Sequence, residues 1–263
     1  MPRQARKESG TGIYHVMLRG INRQDIFEEA EDYMRMLSCL QQMLEQYDDQ
    51  GNRLPPLCTF YAYCLMSNHV HLLLRVNQED IGSTIKHLAV MYAIYYNQKY
   101  SRSGHVFQDR FKSEPVNDMQ YFVTLLRYIH QNPVKAGIVE HVKDYEYSSW
   151  GEYDGTVEPV FQLCDTGTVL RRVPFDDLEA MVNEPLADEV NCLDMDDPSR
   201  SRPSDDQVWA YIKDKTGVTN SSAFQRLNDD IRRAVLKNLK EIGASHRQLA
   251  RLMGIGRGVI QKL

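Results

Sequence analysis

The sequence predicts an α+β fold followed by a small all-α module. Three observations carry this expectation. Short runs of alternating apolar and polar residues, rich in β-branched and aromatic side chains, read as strands. Between them lie long segments whose apolar residues recur at helical spacing. Residues 204–263 keep the helical periodicity and lose the strand pattern.

Taken in order, Ile13–Arg19 alternates as a first strand, with His15 and Met17 facing one way and Tyr14, Val16 and Leu18 the other. Asp32–Gln50 reads as a helix with Tyr33, Met36, Leu37, Leu40, Met43, Leu44 and Tyr47 on its apolar stripe. Leu57–Met66 and His69–Arg75 form two strands joined at the turn Ser67-Asn68. Ile81–Tyr100 is a second long helix, broken by Ser101-Arg102-Ser103-Gly104. Its Tyr92, Tyr95 and Tyr96 could stack on bases, but aromatic residues at this spacing are expected in the core. Phe107–Val116 supplies a loop and a fourth strand. Asn117-Asp118 caps a helix carrying Phe122, Leu125, Leu126 and Ile129, which Pro133 is expected to stop. The resulting order, βαββαβα, suggests a ferredoxin-like sandwich: an antiparallel sheet with two long helices.

Tyr145–Trp150 closes this unit with aromatic residues, giving a first domain over 1–150. Residues 151–203 read as an acidic linker with one short helix near Phe175–Asn183. Residues 204–263 form the helical domain. There Ser245 caps a short helix, Gly254-Ile255-Gly256 makes a turn, and a second short helix follows. Leu249, Ala250, Leu252, Ile255, Val259 and Ile260 are its expected core, an arrangement that resembles a helix-turn-helix. A plain helical hairpin is the alternative.

The chain has 263 residues and a net charge of −5, which looks unfavourable for a nucleic-acid partner until it is divided. Residues 1–150 hold 16 Lys/Arg against 17 Asp/Glu, residues 151–198 hold 2 against 13, and residues 199–263 hold 13 against 6. A basic C-terminal module is thus masked by an acidic stretch. Arg247, Arg251, Arg257 and Lys262 are its candidate phosphate contacts, with Arg19, Arg23, Arg110 and Lys112 in the first domain. The five cysteines show no CxxC pair, and no apolar run approaches membrane-spanning length. A reduced, cytoplasmic, nucleoid-associated protein is the expectation.

The chemistry centres on Ser67-Asn68-His69-Val70-His71. On a strand, His69 and His71 share a face and present two imidazoles, half of a divalent-metal site. Two polar residues on a solvated strand give the same pattern. His15 is expected to be structural or a DNA contact. In Tyr121–Gly137, Tyr128 and Asn132 lie four apart on one helix face. Tyr128 could be a nucleophile toward phosphorus and Asn132 a further metal ligand, or the pair could be a core residue and a cap.

Together, His-Val-His and Tyr-x-x-x-Asn-Pro-Val-Lys-Ala-Gly resemble the HUH single-tyrosine transposases, and most closely their REP-associated tyrosine branch. Tyr14–Gly20 with Asn22-Arg23, and Gly104–Lys112, match in the same order, so the resemblance spans roughly residues 10–150. It implies a metal-dependent strand transferase that cleaves and rejoins single-stranded or hairpin DNA, such as REP-like palindromes. His69, His71 and Asn132 would hold Mg²⁺ or Mn²⁺, and Tyr128 would form a 5′-phosphotyrosine. A monomer or homodimer, without a membrane partner, is expected. Two other readings compete: an inactive DNA-binding regulator using the C-terminal module, and a zinc hydrolase.

Overall fold

The computed structural model describes residues 6–184, 203, 205–242, 244, 246–256 and 260. It divides into two units, residues 1–193 and 194–263.

In the first unit, β1 (Ile13–Arg19) leads to α1 (Ala30–Leu44), the small hairpin β2 (Gln46–Tyr47) and β3 (Arg53–Leu54), then β4 (Cys58–Met66) and β5 (His69–Val76). There follow α2 (Ile81–Lys99), β6 (Lys112–Pro115) and α3 (Met119–Lys135). Four strands form one antiparallel sheet in the order β4-β5-β1-β6. The two-residue turn Ser67–Asn68 joins β4 to β5, which fixes their register from Met66↔His69 to Cys58↔Val76, with one bulge between Phe60 and Ala62.

Strand alternation divides the sheet into two buried faces. Tyr14, Val16, Leu18, Phe60, Tyr63, Leu65, Val70, Leu72 and Leu74 pack with α1 and α2. Ala62, Cys64, Met66 and Leu73 pack with α3 on the other face. The tyrosines of α2 are core residues, as expected: Tyr92 is 0% exposed and Tyr96 1%. Their hydroxyls reach main-chain carbonyls, Tyr92 that of Ile26 and Tyr96 that of Asp25. The four described cysteines are buried thiols; Cys192 lies outside the described residues.

One polar knot ties α1 to α2. Asp32, fully buried, accepts from the backbone N–H of Glu28 (2.8 Å) and Glu29 (3.1 Å), Tyr95 Oη (2.9 Å), Tyr100 Oη (2.6 Å) and Lys99 Nζ (2.8 Å). Burial alone would raise its pKa, but the hydrogen bonds from Lys99 and Tyr100 and the others hold it down to about 2. The folded pKa lies below the unfolded one. The stabilisation is therefore complete above about pH 4 and lost as pH falls toward 2. A shift of this size is worth about 2 kcal/mol. Asp32→Asn should lower stability by roughly that amount at pH 7. Denaturant titrations of parent and variant should converge near pH 2; a constant gap across that range would refute the assignment.

Three sequence expectations change. First, α1 ends at Leu44, because the chain turns there into the β2–β3 hairpin. Second, α3 continues through Pro133 to Lys135. Proline removes one N–H, and the Asn132 side-chain amide compensates by donating to the carbonyls of Tyr128 (2.8 Å) and Ile129 (3.4 Å). Third, the acidic stretch after residue 150 is folded as far as Glu184. Helices α4 (Trp150–Tyr153), α5 (Thr166–Leu170) and α6 (Phe175–Asn183) pack on the α3 face. Gln131 Nε2 donates to the Val182 carbonyl at 2.6 Å, Phe60 bridges Cys164, and the buried Glu152 carboxylate accepts from the N–H of Leu163 and Cys164. The boundary expected at residue 150 is therefore not a break in the fold. The rest of the expected linker lies outside the described residues, apart from Pro203.

The second unit holds α7 (Asp205–Thr216), α8 (Ser221–Gln225), α9 (Asp229–Glu241) and α10 (His246–Met253). Residues 221–241 are divided between α8 and α9. Val208, Ile212, Phe224, Leu239, Leu249, Met253 and Ile260 form its core. Gly254 ends α10 at φ 64°, and Gln225 Nε2 donates to the Met253 carbonyl at 2.7 Å. Val259 and most of the expected second short helix lie outside the described residues.

Candidate functional site

Strand β5 sets the site. Val70, Leu72 and Leu74 face α1 and α2, so His69 and His71 face the α3 side, as alternation requires. β1 lies beside β5 with Arg19 opposite His69 and Met17 opposite His71. On this face His15 reaches diagonally to His71: their Nε2 and Nδ1 atoms are 3.0 Å apart, and the rings stack at 5.3 Å. The rings of His69 and His71 meet edge to face at 5.0 Å. His69 Nδ1 lies 2.6 Å from Asn68 Oδ1.

The amphipathic helix α3 brings Tyr128 over these rings, with centroids 5.5 Å from His71 and 5.9 Å from His15. Tyr128 is 1% exposed. Lys135 Nζ lies 5.3 Å from the centre of its ring, a cation–π contact that also places positive charge beside the phenol. Tyr121, seven residues before Tyr128 and on nearly the same helix face, donates its hydroxyl to Glu114 Oε2 at 2.7 Å. Asn132 lies one turn beyond Tyr128; with its Nδ2 given to backbone carbonyls, Oδ1 remains as a donor atom for a cation.

The environment holds the His15 and His71 imidazoles neutral. Burial lowers the His15 pKa to about 3. Burial, followed by His69, His15 and Arg19, puts His71 well below the ordinary imidazole value. Neutral imidazoles are the form that binds metal. Both His69 and His71 use Nδ1 in contacts to neighbours. His69, His71 and the Asn132 amide oxygen are donor types that suit a divalent cation. Among the described residues, no three His, Cys, Asp or Glu side chains gather to hold a metal, the arrangement on which a zinc centre would draw.

Two residues prove more central than the sequence suggested. His15 is fully buried within the histidine cluster. Arg19 is 8% exposed, on the histidine side of β1 and near enough to depress His71. Neither role is visible locally, because both depend on the β1–β5 register.

Arg23 is half-buried on a strained turn at the end of β1. Asn22 and Arg23 both take positive φ, 54° and 62°. A Cβ on Gly20 would stand 2.1 Å from the Gln24 carbonyl oxygen, so only glycine fits there. Asn68 clamps the turn, accepting from Gly20 N–H through its carbonyl (2.8 Å) and donating Nδ2 to the Arg23 carbonyl (3.3 Å). The turn carrying Arg23 and the turn preceding His69 are thereby one structure. Arg110 is exposed, and Lys112 is exposed opposite Met17. In the second unit Arg251 pairs with Asp205 at 2.6 Å. The Arg247 side chain, Arg257 and Lys262 lie outside the described residues.

Known proteins share this part of the chain. Residues 9–132 match the family model described as "Transposase IS200 like". A Haemophilus influenzae protein provisionally named a REP-associated tyrosine transposase is 34% identical over 101 residues, covering 34% of this chain and 57% of that protein. The match thus spans little more than half of the relative's length. A solved REP-associated tyrosine transposase bound to a REP hairpin is similar over 63% of this chain and 93% of its own, at 16% identity and a TM-score of 0.48. A Deinococcus radiodurans protein provisionally described as a transposase gives a TM-score of 0.31 at 17% identity, over 49% of this chain and 97% of its own. The matched segment, residues 9–132, builds β1, β5 and all but the last residues of α3, so the part of the chain that carries His15, His69, His71 and Tyr128 is similar to the IS200-like transposases.

Proposed function

We propose that this chain is a DNA strand transferase that cleaves and rejoins hairpin or single-stranded DNA through Tyr128. The observation that carries the proposal is the placement of one tyrosine against a pair of strand histidines, 5.5 Å ring to ring, in the segment that matches the family. REP-like palindromes are the substrates suggested by the relatives' names. The sheet order, with α1 and α2 on one face, is read as the ferredoxin-like sandwich.

Tyr128 Oη attacks the scissile phosphorus, the bond to the 3′-oxygen breaks, and that oxygen leaves as a 3′-hydroxyl. The phenol proton balances the new hydroxyl, and a 5′-phosphotyrosine holds the cut end. A 3′-hydroxyl from another strand reverses the step, so rejoining needs no external energy source. An unperturbed phenol, with pKa about 10, is a weak nucleophile at neutral pH. Lys135 beside the ring and Arg19 near His71 supply positive charge that favours the phenolate and the charge-rich transition state. Because Tyr128 is 1% exposed, an opening of this edge must precede attack.

His69, His71 and Asn132 would hold Mg²⁺ or Mn²⁺, which when bound polarises the phosphate and neutralises developing charge. Arg23, Arg110 and Lys112 would grip the DNA backbone near the site. Arg247, Arg251, Arg257 and Lys262 would add phosphate contacts from the second unit. The intact cluster speaks against an inactive regulator.

The test is a labelled hairpin incubated with the full chain and Mn²⁺, read as a protein–DNA adduct on a denaturing gel. EDTA should abolish the adduct and added Mg²⁺ or Mn²⁺ should restore it. His69→Ala should weaken Mn²⁺ binding by at least about tenfold. Undiminished cleavage in EDTA would remove the metal from the mechanism.

A further inference from the structure

The contact between His15 and His71 contains a choice that chemistry can resolve. A neutral imidazole has one N–H and one lone pair. Two ring nitrogens 3.0 Å apart therefore share one proton, contributed by one ring or the other. If His15 Nε2 donates, His71 accepts at Nδ1 and carries its proton on Nε2, where it cannot ligate. If His71 Nδ1 donates, its Nε2 presents a lone pair. Both rings are buried, at 0% and 1% exposure, so water does not compete for the contact. The stack, 22° from parallel, also limits rotation of the His71 ring.

We propose that His15 is a positioning residue which, by accepting the Nδ1 proton of His71, holds His71 as an Nε2 metal ligand. The proposal rests on the reading of His69 and His71 as a metal pair and extends it to a residue on a different strand. His69 is served by Asn68 Oδ1 at 2.6 Å, an amide oxygen that can only accept and so keeps the His69 proton on Nδ1. His71 depends on a partner that can also donate. His15 Nδ1 has no hydrogen-bond partner. Buried donors without partners are rarer than buried acceptors, so in the metal-free protein His15 keeps its proton on Nε2 and leaves Nδ1 bare. Loading then moves one proton across the contact, from His15 Nε2 to His71 Nδ1. His15 is reprotonated at Nδ1, and the proton on His71 Nε2 is released.

Two measurements test this without using catalysis. Nitrogen-15 spectra of the imidazoles should show His71 protonated at Nε2 in the metal-free chain and at Nδ1 when saturated with Mg²⁺. Titration with Mn²⁺, read by electron paramagnetic resonance, should show His15→Phe weakened about 10–100-fold, the effect of losing a partner to a ligating histidine. His15→Gln offers an amide oxygen to His71 Nδ1 and should recover most of the affinity. A His15→Phe protein that melts like the parent and binds Mn²⁺ equally well would overturn the proposal. So would equal weakening by Gln and Phe, or a His71 that keeps its proton on Nε2 with Mg²⁺ bound. If His15→Phe does not fold, the Gln variant and the parent spectra decide. A parent that binds no Mn²⁺, or His69→Ala and His71→Ala variants that bind it normally, would instead sink the underlying metal reading.

Discussion

Tyr128→Phe should abolish the covalent protein–DNA adduct while leaving hairpin binding and folding unchanged. The substitution removes one oxygen from a ring whose packing against His15, His71 and Lys135 the phenyl group retains. Cleavage should fall by at least about a thousandfold, the scale at which removal of a nucleophile acts. Tyr121→Phe is the matched control. Tyr121 is bound to Glu114 and should affect cleavage little. Both variants can be run on the same denaturing gel, with binding measured separately by mobility shift. An adduct that survives Tyr128→Phe and vanishes in Tyr121→Phe would reverse the assignment.

Much of this site was legible locally, and its misreadings share a cause. The Ser67–Asn68 turn, the shared face of His69 and His71, and the helical spacing of Tyr128 and Asn132 are short-range properties. They follow from strand and helix periods alone. The place of His15 and Arg19 beside His71 was not legible, because it depends on the pairing of β1 with β5, strands far apart in the chain. Pro133 looked like a helix stop because proline cannot donate, and the sequence does not show that the Asn132 amide would take over part of that work. The C-terminal basic cluster was read as phosphate contacts, and the sequence does not show that Arg251 meets Asp205. Residues 151–184 looked like a linker because their acids dominate the composition. The few apolar positions that matter, Val169, Val173, Leu178 and Val182, are spread among them.

That last point sets the second large effect. A chain ending at residue 155 should fail to fold, whereas one ending at residue 193 should fold as a cooperative unit. The shorter chain lacks Val169, Val173, Leu178 and Val182, which are 1%, 8%, 0% and 0% exposed. At about 1.5–3 kcal/mol for each buried side chain, the deficit is roughly 6–12 kcal/mol. A domain's whole stability is only about 5–15 kcal/mol. The cut also strands Glu152, whose carboxylate is deprived of the N–H groups of Leu163 and Cys164. Thermal melts and amide spectra of the two chains give the answer. A 1–155 protein that melts cooperatively near the parent temperature would show that α5 and α6 merely decorate the sheet. The 1–193 chain then isolates the role of the second unit. Residues 199–263 hold 13 Lys/Arg against 6 Asp/Glu, so their removal should weaken duplex binding and flatten its dependence on salt. The slope should fall by about 0.9 for every phosphate that this module neutralises. Cleavage of a saturating hairpin should persist, because His69, His71 and Tyr128 all lie in the first unit. If the 1–193 chain is folded but has the parent's affinity and slope, the basic module takes no part in binding DNA.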